Sequence, residues 1–313
     1  MPARGSSITT EVMADRFSLR ILDFMGPDRR LAEGVSGPAE GVSESHAGSV
    51  GRLLKRWRER RRMSQLALAM EADVSSRHLS FVETGRGHPS REMVLLLAGV
   101  LDVPPRARND LLVAAGYAPI YRESGLDAPE MAQFRRALEF IMRQQEPYPA
   151  IALDRHWNMV FANEGARRLV GLLLDPAVGD AWGPPNALRL VCHPQGLRPC
   201  IVNWEATAAA LIQWLHRDFL RSADPGIRRL LDELLAYPGV PSNWRTLDLD
   251  APTAPFLAIE MRKDDTHLRF FTTLTTLGTP YDITLHELRI ESFFPADEAT
   301  DMALRHLNEA GVT

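Results

Sequence analysis

The sequence predicts two domains of different class: a mainly α N-terminal domain of five short helices, then an α+β domain built on an antiparallel sheet. Three observations predict it. Residues 50–116 hold five short helical patterns separated by tight breaks. Beyond Pro129 the order becomes hairpin, helices and then strand-like runs, the order of an α+β domain. With 313 residues, 45 % of them hydrophobic, the chain is long enough to bury two cores.

Each element has its own signal. The first pattern, GRLLKRWRERRR, places Leu54 and Trp57 on one face and basic residues elsewhere. The second runs from Ser64 to Ala72, with Ser64 suited to the N-cap. The third runs from about Ser75 to Glu83 and stops at Gly85, which suits a left-handed C-cap. The fourth follows Pro89-Ser90 and carries Met93, Leu96 and Leu97; the fifth starts near Pro104-Pro105 and ends at Gly116. In the second domain a helix over Met131–Gln145 precedes two apolar runs, YPAIALD and WNMVFAN, with Asp154-Arg155-His156 between them as the turn. A helix over Glu164–Leu173, Pro/Gly-rich loops over 175–199, and helices over Trp204–Arg221 and Pro225–Ala236 follow. FLAIEMR, HLRFFTTLTTL and LRIESFF close the pattern as strands. The expected division is a disordered tail over 1–48, a helical domain over 49–117, a linker over 118–128 and the α+β domain over 129–313. Within the tail only Leu19 to Met25 could form a turn of helix, and a start downstream of Met1 is equally compatible with the tail.

Charge divides along the same lines. The net formal charge is −2 over 1–47, +5 over 48–123 and −7 over 124–313. A polyanion partner would therefore meet the five-helix domain. Two cysteines, Cys192 and Cys200, make no disulfide framework. The best apolar run, MVLLLAGVL over 93–101, is far short of a membrane span, and no signal peptide stands at the start; a cytoplasmic protein with no membrane partner is expected. Cys192, His193 and Cys200 match no zinc spacing, so no metal is expected. Neither a nucleophile elbow, a phosphate loop nor an HExxH helix is present, so no catalytic residue is assigned and the chain is not expected to be an enzyme.

The stretch SQLALAMEADVSSRHLSFVETG, residues 64–85, carries the sharpest functional signal. Read as helix, turn and helix, its second helix buries Leu79 and Val82 and turns Arg77, Ser80 and Phe81 outward, with Ser75 and Ser76 at its N-terminus. An arginine can bridge guanine O6 and N7, hydroxyls bond either base, and a phenylalanine can touch a thymine methyl. The competing reading of Phe81 is that it packs against the next helix or the second domain. Gln65 opens the preceding helix and can offer its amide to a phosphate; Arg86 follows the recognition helix. Asp73 stands in the turn where positive φ is commonly required, and Ala69 is small enough for helices to cross closely. Seven basic residues lie between Arg52 and Arg62 against one acid, Glu59; phosphate contact is expected for some of them, the alternative being a solvated face.

On Ser64-Gln65, Ala69, Val74-Ser75, Leu79, Glu83 and Gly85, residues 50–116 resemble the XRE, lambda-repressor-like helix–turn–helix family. That resemblance implies sequence-specific binding to a double-stranded DNA operator, and an ion pair between Arg58 and Glu83. Asp73 replaces the usual turn glycine and Arg62 the glycine often found before the second helix. The segments ALDRHWNMVFANEGARRLVG, LRLVCHPQGLRPCIVNWE and LRIESFFPADEAT, following RHLSFVETGRGHPSREMVLLLAGVLDVPPRARNDLLVAAGYAP, resemble the MmyB-like regulators. Their resemblance implies a PAS-like C-terminal domain and a fatty-acid-like ligand. From the residues themselves, Leu211, Leu215 and Phe219 form a stripe with Trp204 and Ala208 on one helix, while Met159, Phe161, Phe271 and Phe293 lie on strands. An apolar ligand between sheet and helices would use these, with Thr273, Trp214 or Arg217 offered to a head group; the alternative is that they are core. The expected function is a ligand-responsive transcription regulator, a homodimer on a palindrome with half-sites about one helical turn apart. The alternatives are a DNA-tethered enzyme acting on the same ligand, and a constitutive DNA-binding protein whose second domain only dimerises.

Overall fold

The computed structural model describes residues 46–174, 185–245, 258–278 and 281–310. The expectations for the tail, for 175–184 and for the first residues of FLAIEMR lie outside the described residues. The described residues form two compact units, one of 46–124 with 281–286, the other of the described residues from 125 to 278 and from 287 to 310.

The first unit holds α1 (His46–Arg60), α2 (Gln65–Glu71), α3 (Ser76–Glu83), α4 (Arg91–Val100) and α5 (Pro105–Ala114). The first helix starts earlier than the expected boundary at 49. Ser64, Ser75 and Ser90 cap α2, α3 and α4: each hydroxyl accepts the backbone N–H three residues on, at 3.0, 3.1 and 3.2 Å. Leu54, Leu68, Leu79, Val82, Leu97 and Leu111 are completely buried and form one core. All five helices end alike. The N–H two residues past the C-cap reaches back to the sixth carbonyl, as in Met63 to Arg58, Val74 to Ala69, Arg86 to Phe81, Val103 to Ala98 and Tyr117 to Leu112. That closure needs a left-handed residue, supplied by Arg62 (φ 55°), Asp73 (51°), Gly85 (74°), Asp102 (47°) and Gly116 (80°). Three of the five are not glycine, at a cost of about 1–2 kcal/mol each before local hydrogen bonding offsets it.

The second unit opens with a turn of 3-10 helix (Pro129–Met131) and α6 (Ala132–Gln144). β1 (Ala150–Leu153), β2 (Met159–Ala162) and α7 (Glu164–Leu173) follow, then α8 (Ala187–Cys192), α9 (Trp204–Ser222) and α10 (Pro225–Ala236). β3 (Ile259–Lys263), β4 (Thr266–Thr276), β5 (Arg289–Pro295) and α12 (Glu298–Ala310) complete it; α11 (Ile283–Glu287) precedes β5 and lies mostly in the first unit. The sheet is wholly antiparallel in the order β2-β1-β5-β4-β3, a PAS-like arrangement. One face carries the larger core with α7 to α10; the other carries a smaller core of Ala150, Ala152 and Ile290 against Leu138 and Met142 of α6.

Three elements differ from the expectations. The α8 helix lies in the stretch expected as loop, because Asn186 caps it by accepting from the N–H groups of Leu188 and Arg189. Neither α11 nor α12 was expected as a helix. For α12, Asp297 accepts from the Thr300 N–H at 2.8 Å, and Tyr148 donates to Asp301 at 2.6 Å, pinning its first turn.

Candidate DNA-reading surface and ligand cavity

The α3 helix buries Leu79 and Val82 completely, and the opposite side carries the residues expected to read bases. Arg77 is exposed and its guanidinium lies 5.4 Å from the centre of the Phe81 ring, four residues on. Phe81 is 36 % exposed. The loop that follows lies against it: a Cβ on Gly87 would sit 3.3 Å from the Phe81 Cβ, and the Arg86 and Gly87 N–H groups both bond the Phe81 carbonyl. Ser75, Ser76 and Arg86 are exposed, and Ser80 is half-buried.

Behind this surface lies a buried clamp. Arg58 of α1 grips Glu83 at the end of α3 with two parallel hydrogen bonds, Nε to Oε1 at 2.6 Å and Nη2 to Oε2 at 2.8 Å, and its Nη1 donates to the Met63 carbonyl. Glu83 retains 1 % of its side-chain exposure and Arg58 10 %. Gln65 completes the group: its amide donates to Glu83 Oε2 at 2.7 Å. As the first residue of α2, Gln65 thereby ties that helix to α3 with one of the two N–H donors of the amide expected to meet a phosphate. Burial raises the Glu83 carboxyl, but hydrogen bonds from Arg58 and Gln65 outweigh it and hold the group below the usual carboxylate range. Ala69 is buried on α2, and a second close approach, of α1 to α3, is made at Gly51. A Cβ at 51 would lie 2.2 Å from the Val82 carbonyl oxygen, so α1 can approach α3 only with glycine there. Of the basic residues at and just beyond the end of α1, Arg61 is also committed internally, to the Leu101 carbonyl and the Asp102 carboxylate, and Arg60 lies over Trp57.

The second unit encloses a cavity of about 80 Å3 between the sheet and α7 to α9. Met159, Leu211 and Phe293 line it, as expected of ligand contacts, beside Ile151, Trp157 and Leu188. Leu215 is wholly buried core behind that wall; Trp214 packs edge-on against Trp157 at 4.8 Å, and Phe219 lies under the Arg228 guanidinium. None of these three lines the cavity. The assignment of Phe161, Phe271 and Thr273 is corrected. Phe271 and Thr273 alternate onto the other face of β4. Phe161 would share the face of Met159 by alternation alone, but the register shift in the β1–β2 pair puts it opposite Ala152, on the other side. Phe161 pairs with Ala152 in the smaller core, Phe271 stacks on Phe294 at 5.3 Å, and Thr273 pairs with Ser292 and is exposed. Arg217 is likewise exposed on α9.

One lining residue escaped sequence reasoning. Glu291 lies on β5 opposite Ile151 of β1 and two residues before Phe293, so it shares their face. The signal was available: period two places residue 291 beside 293. Thr272 donates to its carboxyl, and burial pushes that carboxyl up to about 7 against this bond. Cys192 is buried in the same core, which pushes its thiol up to about 12 and leaves it unionised. Among the described residues no group of three His, Cys, Asp or Glu side chains is placed to hold a metal, and no helix is long and apolar enough to cross a membrane.

The ligand-binding domain model of the MmyB-like transcription regulators matches residues 134–307, more than half of the chain. The chain belongs to the MmyB-like transcription regulators. A helix–turn–helix domain model matches residues 49–111, the five-helix unit. No curated protein matches the chain. Among solved structures, that of an RNA-binding light-oxygen-voltage receptor aligns over 98 % of this chain and 69 % of its own, at 11 % identity and a TM-score of 0.24, a likeness too slight to bear on function. This regulator therefore joins a DNA-binding helix–turn–helix unit to a ligand-binding unit.

Proposed function

We propose that this regulator reads a specific operator with α3 and that a small apolar molecule in the second unit's cavity shifts its affinity for that operator. The observation that carries the first half is the division of α3: Leu79 and Val82 sealed inside, Arg77 and Phe81 open on the far side. The guanidinium over the Phe81 ring is thereby aimed as a unit at a major groove, Arg77 to a guanine edge and Phe81 to a thymine methyl. Ser75, Ser76, Ser80 and Arg86 border that pair and serve base edges and phosphates. The cavity supports the second half, its wall being almost entirely aliphatic and aromatic. A ligand there acts only through unequal affinity for DNA-competent and incompetent states.

The protein binds as a homodimer on a palindrome with half-sites about 34–36 Å apart. The test is selection from random duplexes by the full chain. The expected product is an inverted repeat bound at least about a thousandfold more tightly than random DNA. Selection of no common sequence would refute the reading. The DNA-tethered enzyme gains one group from the structure, Glu291, but a lone carboxyl supplies no nucleophile–base pair.

A further inference from the structure

The residues of the cavity wall are apolar except for the carboxyl of Glu291 and the indole N–H of Trp157, a buried donor with no hydrogen-bond partner among the described residues. Among the described lining residues Glu291 is the one ionisable group, and neither Arg, Lys nor His lines the space. Glu291 cannot swing away. Its backbone sits mid-sheet, paired to Ile151 on one side and Leu274 on the other, so its side chain is fixed on the cavity face. Thr272, diagonal to it on β4, donates one hydrogen bond to the carboxyl. A carboxylate offers about four acceptor positions, so most of its capacity remains. The neighbours that share its face of the sheet, Ile151 and Phe293, satisfy none of it. A strand packed only for stability would carry valine or isoleucine here, since a buried carboxyl without enough partners is costly.

The geometry points to Glu291 as the residue that chooses the ligand: an apolar molecule bearing a hydrogen-bond donor, amine or hydroxyl, and not a carboxylate. This rests on the reading of the cavity as the ligand site. A donor on the ligand completes the carboxyl's hydrogen bonding within a largely apolar wall. A ligand carboxylate meets the opposite situation. It finds no cation on the described wall and faces a second acid across a space of about 80 Å3, where two carboxyls cannot both ionise. Fatty-acid-like chains match the wall, but their head group conflicts with its one acid.

The test uses the full chain and three probes that differ only in head group: n-hexylamine, n-hexanol and n-hexanoate, titrated calorimetrically at about pH 8, where hexanoate is ionised. Amine and alcohol are expected to bind at least about tenfold more tightly than hexanoate. In Glu291→Gln, nearly isosteric, hexanoate is expected to gain about tenfold and the amine to lose about tenfold, with the alcohol changing less than about threefold. The amine and alcohol arms separate a counter-ion from a neutral acceptor. Leu211→Trp, which fills the cavity from α9, should weaken all three probes. Hexanoate binding as tightly as hexanol to the wild type, or a ranking unchanged in Glu291→Gln, would overturn Glu291's role while leaving the cavity as a ligand site. Failure of all three probes to bind, or binding untouched by Leu211→Trp, would overturn the cavity itself and with it the ligand arm of the proposed function.

Discussion

Glu83 and Glu291 are both buried carboxyls, and the two units treat them in opposite ways. Glu83 is closed in by Arg58 and Gln65 and is held below the usual carboxylate range. Glu291 has a threonine and an apolar cavity, and is pushed up to about 7. The lesson concerns what each unit is for. A buried pair satisfied on all sides fixes helix orientation, which a reading surface needs. A buried acid with spare capacity leaves acceptor positions open on the cavity side.

Breaking the paired carboxyl should have the largest effect. Glu83→Ala strands a buried guanidinium and should cost about 3–5 kcal/mol. Denaturant titration read by amide exchange in α3 would check this, and a loss below about 1 kcal/mol would mean the clamp is solvated. Removing the acid that lacks a cationic partner should do the reverse. Because the folded-state value of Glu291 lies above that of the unfolded chain, the folded protein holds the extra proton between about pH 4 and 7, and stability falls as pH rises through that window. Glu291→Gln should therefore stabilise the second unit by about 2–3 kcal/mol near pH 8, and by almost nothing near pH 4. Glu83 has the opposite sign: its depressed value gives stability that is full above about pH 4 and is lost as pH falls through the folded value. Thermal unfolding of the two variants across pH should thus diverge at opposite ends of the scale; parallel curves would erase the contrast. The smallest expected effect is at the helix ends. Arg62→Gly relieves a left-handed arginine (φ 55°) and should stabilise by about 0.5–1 kcal/mol, unless the entropy of the added glycine cancels it.

The same contrast marks what could be read from sequence. The five-helix unit was legible because its determinants are local: serine caps at 64, 75 and 90, an apolar period, and turn residues at 73 and 85. Gln65 carried no local sign that its amide would serve Glu83, eighteen positions away. In the second unit the strands were legible within a few residues, but their facing was not. Alternation says which residues share a face, and only cross-strand register says which face is inside, so Phe293 reaches the cavity while Phe271 and Thr273 do not; on β2 a bulge, which the sequence does not show, separates Met159 from Phe161. The α8 helix is a six-residue segment hidden among prolines and glycines, and α12 buries a narrow stripe around Leu304 in a highly charged sequence.

The most direct test of the whole account is the operator affinity of Arg77→Ala, measured by fluorescence anisotropy on the duplex selected by the wild type and on random DNA of equal length. The account predicts a loss of about 1–3 kcal/mol on the selected duplex, relaxed preference at one base position, and little change on random DNA. Equal losses on both duplexes, or none on the operator, would contradict a base-reading role for the open side of α3.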